Sequence, residues 1–351
     1  IFAQQVLSLS LSRSLFLSHS APRGAALQLI DVAQASISQS EFSNNSACTG
    51  GGVYLSNSNV TLRLNSFINN SATCSPGEGG AAYVECGQGC VTSFSANSFF
   101  NNSASLEGGA IKSTLLKPQL QNDSFSLNSA LYGDDFASYS TSISLLEGNL
   151  SEAIVSGQSV HSRLEFGLMD EEAQLVSSDN TTTCELSSKS EVEFAGKFRV
   201  MAQGGRLEFK DFTLTATPGS EIDLEVSCSD ERVKALKIQL RLRKCKRGEY
   251  EDNKKCVTCE AGFYSFEPSR ACKECVTGAE CYGNKTVVPK EGYWRKSEDS
   301  ETFYECPHKE ACLGPEDSDM SATGKCREGY TGTMCSGCEQ GYAKHFNQEC
   351  I

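Results

Sequence analysis

Two closely spaced cysteine pairs have the residue type and the spacing of a metal site. Cys256 and Cys259 are followed, after twelve intervening residues, by Cys272 and Cys275. Four thiolates at this spacing suit a structural zinc ion. The eight other cysteines of the same region and the glycosylation sequon at Asn284 favour disulfide bonds instead. We therefore predict disulfides here, and no metal or other cofactor.

Catalytic combinations of residues are sparse in the rest of the chain. The adjacent acids Asp134 and Asp135 could serve as an acid and base pair, but such a pair more often lies in a solvated turn. No Gly-x-Ser-x-Gly, His-Glu-x-x-His or phosphate-binding loop occurs. The four histidines are scattered over three segments: His19, His161, His308 and His345. We therefore predict no catalytic residue and expect a protein that is not an enzyme.

The cysteines are numerous and unevenly distributed. Six of the 18 lie before residue 236 and twelve after residue 244, so both groups are even in number. A dense, even set of cysteines is typical of domains that disulfides stabilise in an oxidising compartment. The candidate disulfide cysteines are Cys48, Cys74, Cys86, Cys90, Cys184, Cys228, Cys245, Cys256, Cys259, Cys272, Cys275, Cys281, Cys306, Cys312, Cys326, Cys335, Cys338 and Cys350.

Eight Asn-x-Ser/Thr sequons also point to the extracellular side. A sequon permits a glycan, although three of the eight arise from the internal repeat described below. The candidate N-glycosylation sites are Asn44, Asn59, Asn69, Asn101, Asn122, Asn149, Asn180 and Asn284. Together with the cysteines, they predict an extracellular glycoprotein at the cell surface.

The charge of the chain restricts its partners. A net charge of −13 and a pI near 4.9 argue against nucleic acid, because phosphate binding needs clustered lysine and arginine. One basic run, from Arg241 to Arg247, is the exception. Its pattern is typical of the end of a strand, or of a surface that contacts a heparin-like polymer or a membrane. No run of about 18 apolar residues occurs that could span a bilayer.

A repeat organises the first 140 residues. Five phenylalanines are each followed four residues later by a serine, and they are spaced by 26, 25, 32 and 26 residues. A period of this size indicates one supersecondary unit stacked on copies of itself, because a single unit cannot bury its own apolar face. The pairs are Phe16/Ser20, Phe42/Ser46, Phe67/Ser71, Phe99/Ser103 and Phe125/Ser129.

Within each repeat, short strands alternate with turns. Stretches such as residues 60–64 have the two-residue period of a strand, and glycine clusters such as Gly79-Gly80 suit tight bends. Coils stacked about 4.8 Å apart would align the phenylalanines in a column. The Phe-x-x-Asn asparagines are expected at left-handed turns, with hydrogen bonds to the next coil: Asn45, Asn70, Asn102 and Asn128. We predict a right-handed parallel β-helix of about five coils over residues 1–140.

The repeat resembles known surface proteins. Phe-x-x-Asn combined with Gly-Gly-Ala-Ile, here Gly108 to Ile111, resembles the repeats of chlamydial polymorphic outer-membrane adhesins and of protist surface proteins with pectin-lyase-like β-helix regions. That fold carries polysaccharide lyases and hydrolases as well as passive adhesins. The resemblance therefore implies the fold, while the sparse acidic and basic residues of this region favour an adhesin over an enzyme.

Residues 141–244 differ from the repeats. Glycine clusters disappear, and alternating stretches such as 206–214 and 221–226 predict an antiparallel β-sandwich. The stretch from Gly205 to Val226 resembles immunoglobulin-like spacer domains of large surface proteins. Cys184 and Cys228 could form its disulfide or bridge to an adjacent domain.

Residues 245–351 have too little apolar sequence for a large core, so disulfides must stabilise them. Cys-x-x-Cys followed by Gly-x-Tyr-Ser, here Gly262 to Ser265, resembles the cysteine-rich repeats of ephrin-receptor-like modules. Gly-Tyr-Thr-Gly before a cysteine, here Gly329 to Gly332, resembles the end of an epidermal-growth-factor-like (EGF-like) module. The whole chain is thus predicted to be all-β, in three segments.

These observations predict the non-enzymatic extracellular region of a large cell-surface glycoprotein, acting in adhesion or recognition through a β-helix face. We expect its repeated Asn, Ser and Thr side chains to bind protein or carbohydrate, including a second copy of the chain. Further coils before Ile1 and a membrane anchor outside this sequence are also expected. The alternatives are a structural subunit of an extracellular filament or coat, and a polysaccharide lyase or hydrolase. Acidic residues within about 6–10 Å of one another in a β-helix groove would favour a hydrolase.

Overall fold

The computed structural model describes residues 1–148, 154–160, 163–268, 271–315, 320–345 and 349–351. In these residues the regular structure is β-strand apart from two short 3-10 helices, and it falls into three consecutive segments. The strands of the first segment are β1 Phe2–Gln4, β2 Leu9–Ser12, β3 Leu15–Leu17, β4 Leu27–Ile30, β5 Ala35–Ser38, β6 Glu41–Ser43, β7 Ser46–Ala47, β8 Val53–Ser56, β9 Val60–Arg63, β10 Ser66–Ile68, β11 Ser71–Ala72, β12 Ala82–Glu85, β13 Thr92–Ser95, β14 Ser98–Phe100, β15 Ser103–Ala104, β16 Ile111–Ser113, β17 Gln119–Gln121, β18 Ser124–Ser126 and β19 Phe136–Ala137.

The first segment is a parallel β-helix, as the repeat predicts. Every coil contributes one strand to each of several parallel sheets, and all its pairings are parallel. Sheet A has the order β1-β4-β8-β12-β16-β19 and sheet B the order β2-β5-β9-β13-β17. Sheet C has the order β3-β6-β10-β14-β18, and the short sheet D the order β7-β11-β15. The long 32-residue step inserts its extra residues between β11 and β12 and between β12 and β13, outside the strands.

A column of phenylalanines runs through the core of the β-helix. Phe16, Phe42, Phe67, Phe99 and Phe125 occupy the same position in successive strands of sheet C. Neighbouring rings lie nearly parallel, with centroids 4.7 to 4.9 Å apart. The predicted aromatic column is therefore confirmed, with a spacing set by the separation of adjacent strands.

The second segment consists of antiparallel sheets. Their orders are β20-β22-β26, β21-β27-β24 and β25-β23-β28-β29. Inward side chains from all three sheets, among them Phe166, Leu186 and Phe212, share one buried core. The strands are β20 Ser142–Glu147, β21 Ser159–Val160, β22 Leu164–Met169, β23 Thr183–Ser188, β24 Glu193–Gly196, β25 Arg199–Met201, β26 Arg206–Phe209, β27 Phe212–Thr215, β28 Glu221–Cys228 and β29 Leu236–Arg241.

This second segment packs against the last coil of the β-helix. The Tyr132 hydroxyl donates to Asp170 Oδ2 over 2.6 Å, and Gln174 Nε2 donates to the Phe136 carbonyl over 3.1 Å. Tyr132 and Val176 also belong to one small apolar cluster. The contacts cover the end of the solenoid, whose apolar core would otherwise face water.

The third segment is a series of two-stranded antiparallel hairpins. Its 3-10 helices span Lys309–Ala311 and Thr333–Cys335. Its strands are β30 Glu249–Asp252, β31 Lys255–Thr258, β32 Phe263–Tyr264, β33 Lys273–Glu274, β34 Ala279–Cys281, β35 Val287–Pro289, β36 Tyr293–Arg295, β37 Phe303–Glu305, β38 Cys312–Leu313, β39 Lys325–Cys326, β40 Tyr330–Thr331 and β41 Gly337–Cys338.

All 18 cysteines are joined in disulfides, and the pairs follow chain order: the first cysteine bonds the second, the third bonds the fourth, and so on to the last. The four cysteines with zinc-site spacing are divided among three of these bonds, and disulfide sulfurs are not thiolate ligands. The pairs are Cys48–Cys74, Cys86–Cys90, Cys184–Cys228, Cys245–Cys256, Cys259–Cys272, Cys275–Cys281, Cys306–Cys312, Cys326–Cys335 and Cys338–Cys350.

Among the described residues, no helix is both long and apolar enough to cross a membrane.

Candidate functional site

The outward face of sheet A holds the densest group of chemically active side chains in the β-helix. In β8 and β12 the side chains of Val53, Leu55 and Val84 point into the core, because alternate residues of a strand face opposite sides. Tyr54 and Tyr83 face outward from the same register position. Their rings stack 5.3 Å apart at an angle of 6°.

Charged residues flank the two tyrosines. Arg23 lies over the Tyr54 ring, 5.5 Å from its centroid, and the Tyr54 hydroxyl donates to Glu85 Oε2 over 3.0 Å. Lys112 follows Tyr83 in the register of sheet A. It is buried and forms an ion pair with Glu107.

A second column of residues leads into sheet A, and its last member, Tyr132, is buried under the second segment. Thr49, Glu78, Glu107 and Tyr132 are bridge partners on successive coils. Each of them immediately precedes a glycine with a positive φ, and at Gly79 an added Cβ would lie 2.4 Å from a backbone oxygen. The sharp turn that only glycine fits therefore places these four side chains in one line. We call Tyr54, Tyr83, Glu78, Glu107 and Lys112 together the tyrosine–glutamate face.

The electrostatics of this face follow from its partial burial. Burial raises the pKa of the Glu78 carboxyl, and the neighbouring Glu107 raises it further, while Lys112 opposes the shift. Burial, with Glu78 next in importance, raises the pKa of Tyr83 to about 12. Burial and the hydrogen bond to Glu85 raise the pKa of Tyr54. Both tyrosines are thus neutral at physiological pH. Tyr54 is only 6% exposed and Tyr83 is half-buried, so the aromatic surface beside the carboxylates comes mainly from Tyr83.

This face was not predicted from the sequence. The repeat does carry a signal for it. The position before each glycine cluster, and the second position of the strand that follows, recur at the repeat period. These positions differ in residue type from coil to coil. Only the register shows that they are neighbours.

The repeat asparagines, expected to bind a partner, are buried inside the β-helix. Asn70 Nδ2 donates to the Phe42 carbonyl over 2.8 Å and to Asn102 Oδ1 over 3.0 Å. Its Oδ1 accepts from Asn45 Nδ2 over 2.8 Å and from the Asn45 backbone N–H over 3.2 Å. The same pattern continues to Asn128. The predicted bonds between coils are confirmed, but these side chains hold the coils together and do not face a partner.

A second buried ladder runs parallel to the first, and the sequence analysis did not predict it. Asn65 Nδ2 donates to the Ile37 carbonyl and to Asn97 Oδ1, both over 3.0 Å. Asn97 Nδ2 continues to Asp123 Oδ1 over 2.8 Å. These residues stand two positions before each phenylalanine, which is the sequence signal that identifies them.

The acidic pair that was weighed as an acid and base pair makes local hydrogen bonds. Asp135 Oδ1 accepts from Asn128 Nδ2 over 3.0 Å, at the end of the asparagine ladder. Asp134 Oδ1 accepts from the Ala130 backbone N–H over 2.9 Å. Both carboxylates thus have structural partners at the last turn.

The sequons occupy particular turns of the β-helix. Asn44, Asn69 and Asn101 follow successive strands of sheet C, are exposed and have φ values of 53°, 52° and 53°. The left-handed backbone expected of Asn45, Asn70 and Asn102 is therefore found one residue earlier. Of the other candidates, Asn122, Asn180 and Asn284 are exposed and Asn59 is half-buried, while Asn149 lies outside the described residues, as does His161.

The stacking of these sequons leads to a prediction about glycosylation. Asn101 Nδ2 donates to Asn69 Oδ1 over 2.7 Å, and a coil rise of about 4.8 Å is narrower than a branched glycan. We expect a glycan on Asn69 or on Asn101 of one molecule, but not on both. Tryptic peptide 64–112 contains both sites, so mass spectrometry should find it with no glycan or one. Peptide 24–63, whose two sequons lie at different turns, is the control; a doubly glycosylated 64–112 peptide would contradict the prediction.

Glu78 is expected to reduce stability at neutral pH. A carboxyl whose pKa is higher in the folded than in the unfolded state favours folding less as pH rises through the interval between the two values. Glu78→Gln should therefore raise the melting temperature at pH 7, by about 1–2 °C, and should lose this advantage below pH 4. Calorimetry across pH tests this, with the exposed Glu41→Gln as control. An equal gain at every pH would show that removal of the buried, ionised carboxyl is not its cause.

One further cluster has the atom types of a metal site. Ligand atoms of Cys245, Glu249 and Cys256 lie within 4.8 Å of one another in the described part of the chain. The two cysteines form a disulfide, and Glu249 accepts two hydrogen bonds from Arg243 over 2.7 and 2.8 Å. These donors do not fit a metal ion.

Comparison with known proteins adds two partial matches. Residues 98–114 match the Chlamydia polymorphic membrane protein repeat, and residues 303–351 match a domain of unknown function, DUF7630. No curated protein and no solved structure matches the chain. The first match covers the strands β14, β15 and β16, with the glycine cluster that lies between the last two. With the disulfides, it is consistent with an extracellular surface protein that carries a β-helix and a cysteine-rich region.

Proposed function

We propose that this chain is a non-enzymatic recognition region of an extracellular surface protein, and that its tyrosine–glutamate face binds carbohydrate. The observation that carries the proposal is the stacked pair of Tyr54 and Tyr83 beside the carboxylates of Glu78 and Glu107. Tyr54 is buried against Tyr83 and Arg23, so it is the exposed part of the Tyr83 ring that can pack against the apolar C–H groups of a sugar. The carboxylates can accept hydrogen bonds from the sugar hydroxyl groups.

The positions of the sequons support the choice of this face. The β-helix sequons stand in the turns that precede or follow strands of sheets B and C. None lies in a strand of sheet A or in a loop that leads into one; Asn59 lies in the loop that leaves β8 of sheet A for β9 of sheet B. Glycans on the other turns would leave sheet A open to a partner.

The other two segments would position the β-helix. In this proposal the antiparallel segment is an immunoglobulin-like sandwich that acts as a spacer. The hairpin series would be an ephrin-receptor-like and EGF-like stalk that leads to a membrane anchor outside this sequence. Its many local disulfides suit a stiff, extended connector.

A glycan array probed with the secreted chain tests the proposal. Tyr83→Ser should weaken binding to the recognised glycan at least tenfold, while Tyr83→Phe, which keeps the ring stack, should retain most of it. Ser36→Ala, on the exposed face of sheet B and outside every sequon, is the matched control and should change nothing. Binding that survives Tyr83→Ser, or that Ser36→Ala abolishes, would contradict the proposal. Binding to protein alone, or to a second copy in sedimentation, would assign a different partner.

A polysaccharide hydrolase remains a second candidate because of the Glu78 and Glu107 pair. The two carboxyls lie on adjacent coils. Glu78 has a raised pKa, as a general acid needs, and Glu107 pairs with Lys112, as suits a carboxylate that stays charged. This candidate predicts release of reducing ends from an acidic or neutral polysaccharide. Glu78→Gln should then lower the rate at least a hundredfold, and a rate unchanged by that substitution would remove the candidate.

A further inference from the structure

A cavity of about 230 Å³ lies between hairpins of the third segment, remote in sequence from the tyrosine–glutamate face. Arg247, Lys285 and Arg295 line it, and Glu298 is the one acidic residue among its described lining residues. A cationic cavity is unusual in a chain whose net charge is −13. Arg247 belongs to the basic run that the sequence analysis singled out, so the cavity also gives that run a location.

Arg295 is the central cation of this cavity. Its side chain is only 2% exposed, its Nε donates to the Ala322 carbonyl over 2.8 Å, and its guanidinium lies 5.2 Å from the Phe303 ring centroid. Its Nη1 is buried and has no hydrogen-bond partner among the described residues. A buried cationic donor without a partner is costly, so such a group commonly marks a place for an anion or an ordered water.

Arg247 repeats this feature on the same cavity. Its Nη1 forms an ion pair with Asp299, and its guanidinium lies 4.6 Å from the Phe266 ring centroid. Its Nε is also buried without a partner in the described part of the chain. Burial and the nearby Arg247 lower the pKa of Arg295, while Glu298 and Asp299 oppose this shift. Two guanidinium groups thus lie close enough to repel each other.

We propose that this cavity binds a tetrahedral oxyanion, a sulfate or phosphate group. Guanidinium groups present several N–H donors in a plane and match the oxygen atoms of such groups. Lys285 is exposed and lines the same cavity, where it adds a third positive charge. The anion would supply acceptors for the unpaired nitrogens and reduce the repulsion between the two arginines. The proposal does not depend on the function assigned to sheet A.

Calorimetric titration of the intact chain with sodium sulfate, against sodium chloride of equal ionic strength, tests the site. Sulfate should bind in a saturable way, and Arg295→Gln should abolish this. Because Arg295 is buried, Lys285→Ala provides a second variant that is safer for folding, with a loss of about three- to tenfold. Lys296→Ala, a neighbouring exposed lysine that does not line the cavity, is the control and should bind as the unchanged chain.

A further titration identifies the source of the anion. A sulfated heparin disaccharide that binds at least tenfold more tightly than inorganic sulfate would indicate a glycan ester, whereas equal affinities would indicate the free ion. The absence of binding above the chloride control would overturn the proposal. Affinity unchanged in both Lys285→Ala and Arg295→Gln would place any sulfate elsewhere.

Discussion

Asn70→Ala is expected to destabilise the β-helix by about 3–5 kcal/mol. The substitution removes one side chain that donates twice and accepts twice inside a core from which water is excluded. The groups left without partners include the Phe42 carbonyl and the Asn45 amide. Each buried polar group left unpaired costs about 1–3 kcal/mol. Relaxation of the surrounding structure, and water that enters the gap, offset part of this cost. Chemical denaturation followed by far-ultraviolet circular dichroism measures the loss.

The neighbouring Asn69 provides the matched control. It is exposed, and Asn69→Gly keeps a residue that accepts its positive φ. Its effect should stay below about 1 kcal/mol when both variants are compared without glycans. Hydrogen exchange gives a local readout, since Asn70→Ala should deprotect the Asn45 amide in particular. Equal stability of Asn70→Ala and Asn69→Gly would show that the ladder does not stabilise the coils.

Phe67→Ala is expected to cost a similar amount, about 3–5 kcal/mol. Phe67 is fully buried at the middle of the column and stacks on Phe42 and Phe99, each at a centroid distance of 4.8 Å. The loss combines the cavity left by the ring with the two stacking contacts, worth about 0.5–1.5 kcal/mol each. In thermal unfolding, the loss should appear as a lower midpoint temperature of the first unfolding transition.

Two further variants separate these contributions. Phe67→Leu fills much of the cavity but cannot stack. Its stability should therefore lie between that of Phe67→Ala and that of the unchanged chain. Phe100 follows Phe99 in β14 and faces outward, with 42% of the residue exposed. Phe100→Ala should therefore cost little stability. If Phe67→Leu were as stable as the unchanged chain, stacking along the column would have no measurable role.

The repeat made the β-helix predictable. Identical phenylalanines and asparagines at one period can satisfy each other only when coils stack in register, so both columns follow directly from the spacing of residues such as Phe42 and Asn45. The longer step before Phe99 did not disturb this prediction, because its extra residues form loops, one of them closed by the Cys86–Cys90 disulfide.

The candidate site was less predictable for a physical reason. Glu78 and Glu107 are 29 residues apart, and their meeting depends on how many loop residues separate the strands of each coil. The acids that are adjacent along the chain, Asp134 and Asp135, instead accept hydrogen bonds within the last turn. Binding by repeated asparagines was expected for the same reason: the period shows that residues are equivalent, but not whether they face inward or outward.

The cysteine connectivity lay between these cases. An even count predicts complete pairing, but the choice of partners depends on which cysteines the hairpins bring together. In the third segment, short loops bring consecutive cysteines together in pairs, as with Cys259 and Cys272. The second segment pairs Cys184 with Cys228 directly across adjacent strands, within one sheet.

Peptide mass mapping of the secreted chain without reduction, with a zinc assay on the same sample, tests the account most directly. A stapled extracellular protein predicts nine sequential disulfides, no free thiol and no bound zinc. The bond between Cys259 and Cys272 decides between the two interpretations of the zinc-like spacing. Free thiols at these positions with one zinc ion per chain would contradict the extracellular assignment, and the proposal for the tyrosine–glutamate face would lose its setting.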